Sequence, residues 1–242
     1  MKRHAVLLSL FCLIAAPAVV SGPARAGDAP VSGPVVIELF TSQGCSSCPP
    51  ADALMHKLAK RPELLPLALH VDYWDYIGWK DVFADPGHTV RQKAYAHSGG
   101  RNMIYTPQMV INGQEDVVGV DSGKLSGLVD AHLSREPVVT VTGQRGPDGI
   151  TLNLTPVGSA DKGRAELYLV RYTPLRSVSI TRGELAGHDL KYANVVESWE
   201  TVGSWDGQGE QNFSIPLDGD QPAAILVQRP GHGEILGAAR FE

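Results

Sequence analysis

This 242-residue chain has few cysteines, few aromatic residues and no large excess of charge of either sign. It contains 3 cysteines, 7% aromatic residues, and 21 basic against 26 acidic residues, for a net charge of −5. Without a basic surplus there is no field to attract nucleic acid or an anionic membrane, so neither partner is expected. The sequence also lacks the motifs of a serine nucleophile, a phosphate-binding loop, a zinc metalloprotease and a dinucleotide site, which leaves few chemistries open.

One apolar run lies at the start of the chain. Ala5 to Ala16 follows two basic residues, and the segment closes with the small-x-small triplet Ala24-Arg25-Ala26. These features are typical of a secretory signal peptide, and the run is shorter than the roughly 20 residues that span a bilayer. We therefore expect residues 1–26 to be a signal peptide cleaved near Ala26. The mature protein is then exported, periplasmic or secreted, with no membrane anchor.

A strand, a loop and a helix open the predicted fold. Residues 27–34 are rich in glycine and proline and form a linker. Val35 to Phe40 is an apolar run typical of a strand buried on both faces of a sheet, and from Pro49 apolar residues recur at helical spacing. Leu65 to Asp72 has the pattern of a second strand. The order strand, helix, strand predicts a βαβ unit with parallel strands.

The remaining chain divides into two predicted domains. Up to residue 136 the pattern adds a helix, a hairpin and a closing helix, at Thr89 to His97, Met109 to Val120 and Ser122 to Ser134. From Pro137 helical spacing disappears, and short alternating runs are separated by turns of glycine, proline and aspartate. We therefore expect an α/β domain over residues 35–136 and a separately folding all-β sandwich over residues 137–242.

Two cysteines remain after export, in the stretch Cys45-Ser46-Ser47-Cys48. A disulfide across so short a loop removes only about 2 kcal/mol of unfolded-state entropy, so stability alone does not explain the pair. The pair comes between a buried strand and a helix, where unpaired N–H groups and the helix dipole lower the pKa of a thiol. The position predicts Cys45 as the more exposed, nucleophilic thiol and Cys48 as the thiol that resolves a mixed disulfide.

Metal binding is the alternative for this pair. Structural zinc needs four ligands, and no second cysteine pair or closely spaced histidine pair completes them. Copper needs only one histidine in addition, and His70, His88 and His97 fall in the same predicted domain. A periplasmic copper-binding or redox-sensing module that holds metal through the two cysteines therefore stays open, as does an inert disulfide.

The strand at Val35 to Phe40, the cysteine pair at a helix start, and Thr106-Pro107 at the entry to the hairpin resemble the thioredoxin fold over about residues 33–135. In that fold a cis-proline faces the cysteine pair, which implies that Pro107 is cis and lies with Thr106 opposite the cysteines. A buried acid that takes the proton of the second cysteine is also implied. Glu38 would fill that role one position out of register, and a carboxylate at the strand edge is the equal alternative.

The sequence is also similar to a bacterial family of secreted thioredoxin-like proteins of unassigned function. The segments Glu38 to Asp52 and His70 to Asp81 carry this likeness, which covers nearly the whole mature chain but implies no reaction. Two residues depart from ordinary thioredoxins, because Gly44 replaces the usual tryptophan before the first cysteine and Pro49 follows the second. The redox potential of thioredoxin therefore does not carry over.

An aromatic stretch from Tyr73 to Pro86 accounts for extra length between the cysteines and Pro107. Four of its aromatic residues, Tyr73, Trp74, Tyr76 and Trp79, fall within seven positions. They predict either an apolar substrate groove beside the cysteines or the packing of an insertion onto its own domain.

These patterns favour an exported thiol-disulfide oxidoreductase that acts through Cys45 and Cys48 on a protein or a small thiol or disulfide. We expect no cofactor and no metal in that function, and no motif identifies the redox partner.

Overall fold

The computed structural model describes residues 33–158 and 162–242. The predicted signal peptide and all but two residues of the predicted linker lie outside these ranges. In chain order the elements are β1 (Val35–Thr41), α1 (Pro49–Leu58), β2 (Leu64–His70), a 3₁₀ turn (Asp75–Ile77), α2 (Pro86–Ser98), β3 (Gln108–Ile111), β4 (Glu115–Val118), α3 (Ser122–Leu133), β5 (Val139–Gly146), β6 (Gly149–Pro156), β7 (Ala165–Ser179), β8 (Asp189–Trp205), β9 (Gln211–Pro216), β10 (Ala223–Gln228) and β11 (Ile235–Phe241).

Strand β1 lies inside the largest sheet and is buried along its whole length. It pairs in parallel with β2 on one side and antiparallel with β3 on the other, and β3 pairs with β4. Helix α1 makes the crossover between β1 and β2, and Pro49 and Pro50 fit its first turn because no intrahelical bond needs their missing N–H groups. The loop before α1 therefore begins at the carboxyl end of β1.

The two predicted halves share one sheet, which corrects the expected boundary between two separate domains. Its eight strands run in the order β11-β10-β7-β8-β2-β1-β3-β4, while β5, β6 and β9 form a second sheet. The junction is made by β8, which lies parallel to β2 with Val195 opposite Ala68. The later half of the chain thus provides the strand that pairs with the outer edge of β2.

Side chains alternate between the two faces of β1 and therefore enter two different cores. Ile37 and Leu39 pack with Ala51 of α1 in one cluster. Val36 and Phe40 pack on the opposite face, in a cluster that also holds residues of α2, β7 and β10. We call these the α1 face and the α2 face.

A third core lies between the two sheets. Residues of β5, β6 and β9 pack there against residues of β7, β10 and β11. The described part of residues 137–242 contains strands and no helices, so two layers of sheet are present, but one of them is the larger sheet that continues from the first half. None of the helices in the described ranges has both the length and the apolar character of a membrane-spanning segment.

Candidate functional site

Cys45 and Cys48 form a disulfide in the loop between β1 and α1. The loop is tightly wound, because Cys45 N–H donates to the Ser42 carbonyl and Cys48 N–H donates to the Cys45 carbonyl, each at 3.1 Å. Cys48 is the N-cap residue of α1. Ser46 and Ser47, between the cysteines, are exposed to solvent.

Both cysteines are buried in the disulfide form. The exposed fraction is 1% for Cys45 and 0% for Cys48. The surroundings of the sulfurs differ from those predicted. The first two residues of α1 are prolines, and the N–H groups of Ala51 and Asp52 donate to the Cys48 carbonyl. The side-chain contact found at Cys45 Sγ is the hydroxyl of Ser47, at 3.4 Å.

Asp52 lies one turn of α1 beyond Cys48 and is a buried carboxyl whose role no sequence pattern predicts. Thr41, on the α1 face at the end of β1, donates its hydroxyl to Asp52 Oδ1 at 2.8 Å. Burial raises the pKa of Asp52 to about 7; His70 and the Thr41 hydroxyl lower it, and the neighbouring Asp81 adds to the rise. A group with this pKa exchanges a proton near neutral pH, which suits general acid and base chemistry.

A second set of buried polar groups lies beside Asp52. His70 Nδ1 is 2.7 Å from Asp81 Oδ2, and the same oxygen accepts the Gln43 N–H at 2.8 Å. The other ring nitrogen of His70 has no hydrogen-bond partner among the described residues. The ring packs edge-on against Phe83 and Tyr192. These contacts fix the segment around Asp81 onto the cysteine loop.

Glu38 does not occupy the acid position that the resemblance implies. It lies on the α2 face of β1, whereas Thr41 and Asp52 lie on the α1 face. Its carboxylate accepts from Arg91 Nε at 2.6 Å and from the Tyr95 hydroxyl at 2.5 Å. Glu38 is therefore not a strand-edge carboxylate, since β1 is interior to the sheet, and its side chain is ion-paired with Arg91.

Thr106 and Pro107 come directly before β3, and the peptide bond between them is cis. Gln108 pairs with Phe40, which brings Pro107 beside the end of β1. The Trp74 indole N–H donates to the Thr106 hydroxyl at 2.8 Å. Trp74 thereby connects the segment before β3 with the residues around the disulfide.

The aromatic segment explains why Gly44, rather than a tryptophan, precedes the first cysteine. A Cβ at this position would lie 2.9 Å from Trp74 Cβ, closer than real Cβ atoms approach, and 3.3 Å from Ile77 Cδ1, which is a tight contact. The aromatic segment therefore occupies the space that a larger residue would need. Trp79 also packs here, donating its indole N–H to Gln43 Oε1 at 2.8 Å.

The predicted aromatic residues divide into packed and exposed members. Tyr73 donates its hydroxyl to Gln92 at 3.2 Å, and Trp74 and Trp79 are partly buried against the cysteine loop. Tyr76 is 80% exposed and its ring stacks on Trp74. Tyr73, Trp74 and Trp79 are thus packed within the fold, and the Tyr76 ring is left toward solvent.

An element from the later half of the chain completes the site. Residues 173–195, the far part of the β7–β8 ribbon and its turn, are called the arm. His56 Nε2 of α1 hydrogen-bonds the Lys191 carbonyl at 2.9 Å, and a Cβ on Gly183 would lie 3.1 Å from Trp79 Cβ. The arm therefore contacts both α1 and the aromatic segment.

Within the described ranges, no three side chains of histidine, cysteine, aspartate or glutamate are grouped in a way that could hold a metal ion. His70 and His88 each use Nδ1 in a hydrogen bond, to Asp81 and to the His70 carbonyl.

Comparisons with known proteins give a family and two solved structures. A family model with the description "Protein of unknown function (DUF1223)" matches residues 36–228. A crystal structure of a protein from Agrobacterium tumefaciens is 32% identical, with a TM-score of 0.73, covering 85% of this chain and 92% of that one. HBP35 of Porphyromonas gingivalis is 13% identical, with a TM-score of 0.57 and coverages of 86% and 74%, a likeness of fold alone. A search of curated proteins finds no match.

Proposed function

The chain belongs to the protein family of unknown function DUF1223, and we propose that this member is an exported thiol-disulfide oxidoreductase with Cys45 and Cys48 as its redox centre. One observation carries the proposal. A bonded cysteine pair begins a helix whose next turn holds Asp52, a buried carboxyl with a pKa of about 7. A disulfide beside a group that exchanges protons near neutral pH is suited to thiol exchange.

The reduced protein acts in two steps. The Cys45 thiolate attacks one sulfur of a substrate disulfide, forming a mixed disulfide and releasing the first substrate thiolate. Cys48 then loses its proton to Asp52 and attacks Cys45 Sγ, which forms the protein disulfide and releases the second substrate thiolate. The substrate gains two electrons and the cysteine pair loses two. In the reverse direction Asp52 returns the proton to the departing Cys48 thiolate.

A thioredoxin-like first half and export from the cytoplasm are parts of the same proposal. The strand order β2-β1-β3-β4, the position of α1 directly after β1 and the cis Thr106–Pro107 bond support the thioredoxin-like description. The signal-peptide pattern in residues 1–26 supports export. An oxidising compartment also suits a cysteine pair that turns over between its thiol and disulfide forms.

The proposal is tested with the purified mature protein and its Cys45→Ser and Cys48→Ser variants. We expect oxidation of the reduced wild type by a low-molecular-weight disulfide to be fast and to regenerate the internal disulfide. Cys48→Ser is expected to accumulate the mixed disulfide at Cys45, detected by mass spectrometry, and Cys45→Ser to be inactive. Stoichiometric Cu(I) uptake that needs both cysteines, without disulfide exchange, would overturn the proposal in favour of the copper alternative.

A further inference from the structure

A groove runs between α1 and the arm and begins beside the cysteine pair. Its volume is about 530 Å³, within the range of small-molecule sites. It is lined by Pro49, Asp52, Ala53 and His56 of α1 and by Leu175, Asp189, Leu190 and Lys191 of the arm. The two walls come from opposite halves of the sequence, so the groove exists only in the assembled fold.

The near end of the groove adjoins the residues of the proposed thiol exchange. Pro49 follows Cys48 directly, and Asp52 is the carboxyl that exchanges protons near neutral pH. From Pro49 to His56 the helix advances seven residues, about 10 Å, which is the length of a small amino-acid derivative rather than of a folded surface. Since the cysteines are 1% and 0% exposed, a substrate of small cross-section has easier access than a protein chain.

The arm side of the groove carries one charge of each sign. Asp189 and Lys191 are two residues apart in β8, so they point to the same side of the strand at a spacing of about 7 Å. Lys191 forms no ion pair with any residue that the structure describes, and the Asp189 carboxylate accepts one side-chain hydrogen bond, from Ser179. An ammonium and a carboxylate at this spacing complement the two charges of an α-amino-acid group.

Apart from these charged residues, apolar side chains line both walls of the groove. Pro49 and Ala53 form one side, and Leu175 and Leu190 form the other. Leu175 is 55% exposed, so its side chain is accessible to a ligand in the groove. Methylene and sulfur groups of a ligand would cover this surface.

We propose that the groove binds a low-molecular-weight disulfide bearing an α-amino-acid group, with Lys191 facing the carboxylate and Asp189 facing the ammonium. The inference rests on the proposed function and names its substrate class. One such disulfide is reduced to two thiols by two electrons from the cysteine pair, as in the two steps given above, so no further reductant takes part.

Four disulfides that share a CH2–S–S–CH2 core and differ in their charged substituents test the assignment: cystine, with both groups; cystamine, with ammonium groups; 3,3′-dithiodipropionate, with carboxylates; and bis(2-hydroxyethyl) disulfide, with neither. The rate of oxidation of the reduced protein by each is divided by its rate with dithiothreitol, which removes intrinsic reactivity. We expect the normalised rate for cystine to exceed that for the uncharged disulfide about 10-fold. Equal normalised rates for all four, or faster oxidation by insulin than by cystine, would overturn the assignment.

Two single substitutions separate the two charges. Lys191→Ala is expected to slow cystine and dithiodipropionate about 3- to 10-fold, and Asp189→Asn to slow cystine and cystamine similarly. Neither is expected to alter the uncharged disulfide. Lys57→Ala removes an exposed lysine of α1 that does not line the groove and is the matched control.

The outcomes distinguish two failures. If Lys191→Ala or Asp189→Asn slows all four disulfides equally, or if Lys57→Ala reproduces the effect, the groove is not the binding site although exchange occurs. If the wild type reacts with none of the four, including the uncharged one, the proposed oxidoreductase function itself fails.

Discussion

Glu38 and Asp52 are both buried carboxyl residues of the first half of the chain, and they differ in the side chains that donate to them. Glu38 lies on the α2 face with two donors, Arg91 and Tyr95, and Arg91 is itself held by Gln228 and stacked 3.8 Å from the Trp199 ring. Asp52 lies on the α1 face with one side-chain donor among the described residues.

Burial alone therefore does not identify a proton carrier. A carboxylate with a buried guanidinium as its partner contributes to the structure, because removal of either member leaves an unpaired charge. A carboxyl with a single hydroxyl donor keeps its pKa near neutral pH and remains free to exchange its proton. The following predictions test this difference, from the largest expected effect to the smallest.

Arg91→Ala is expected to lower the free energy of unfolding by about 3–5 kcal/mol, because it leaves Glu38 charged, buried and unpaired. Urea denaturation of the oxidised protein measures the change. The double variant Glu38→Leu/Arg91→Leu is the control and is expected to be less destabilised than Arg91→Ala. A loss below 1 kcal/mol for Arg91→Ala would mean that the pair is not a structural ion pair.

Asp52→Asn is expected to change how stability depends on pH. The folded carboxyl has a pKa of about 7 against an ordinary value of 3.8, so between these pH values the folded state holds a proton that the unfolded state has lost. Its stabilising contribution is present at low pH and is lost as pH rises through about 7. Relative to the asparagine variant, the oxidised wild type is expected to lose about 4 kcal/mol between pH 4 and pH 8. Parallel stability curves for the two proteins would contradict this prediction.

The same substitution is expected to slow resolution of the mixed disulfide about 10- to 100-fold at pH 7, because no carboxylate accepts the Cys48 proton. Single-turnover mass spectrometry of the mixed disulfide measures this step. Glu38→Gln is the matched control on the α2 face, and in its folded form it is expected to retain the wild-type pH profile. If both variants resolve at the wild-type rate, Asp52 does not carry the proton.

Thr41→Val is expected to have the smallest effect. It removes the hydroxyl that donates to Asp52 Oδ1, a bond that lowers the pKa of that carboxyl. The midpoint of the pH profile for resolution is therefore expected to rise by about 0.5 to 1 pH unit. A midpoint that falls or stays unchanged would show that this hydrogen bond does not tune Asp52.

Local patterns in the sequence predict much of this molecule. The strand at Val35, the helix after Pro49 and the last two strands, Ala223–Gln228 and Ile235–Phe241, have clear periods or continuous apolar runs. The cysteine pair is identified by its spacing alone. These features depend on residues that are neighbours in the sequence.

The parts that were missed depend on distant residues. Strand β8 has a polar start and an interruption at Asn194, which adopts φ 49° and donates its side-chain amide to the Pro66 carbonyl. Pro174 interrupts the sequence pattern within β7, yet the ribbon continues because Thr173 and Leu175 pair on either side of it. In the sequence, Asp52 is an ordinary acidic residue in the first turn of a helix. Its raised pKa results from burial, to which the sequence-distant arm and β2 contribute.

The position of β8 also bears on when the site is completed during synthesis. Cys45 and Cys48 leave the ribosome early, but the arm that walls the groove comes about 140 residues later. At about 5–20 residues per second this interval is roughly 7–30 s. In a cotranslationally exported chain, the two thiols would be exposed to other thiols and oxidants before the arm has been synthesised. Correct pairing of the two cysteines then depends on the time between their own synthesis and the synthesis of the later strands.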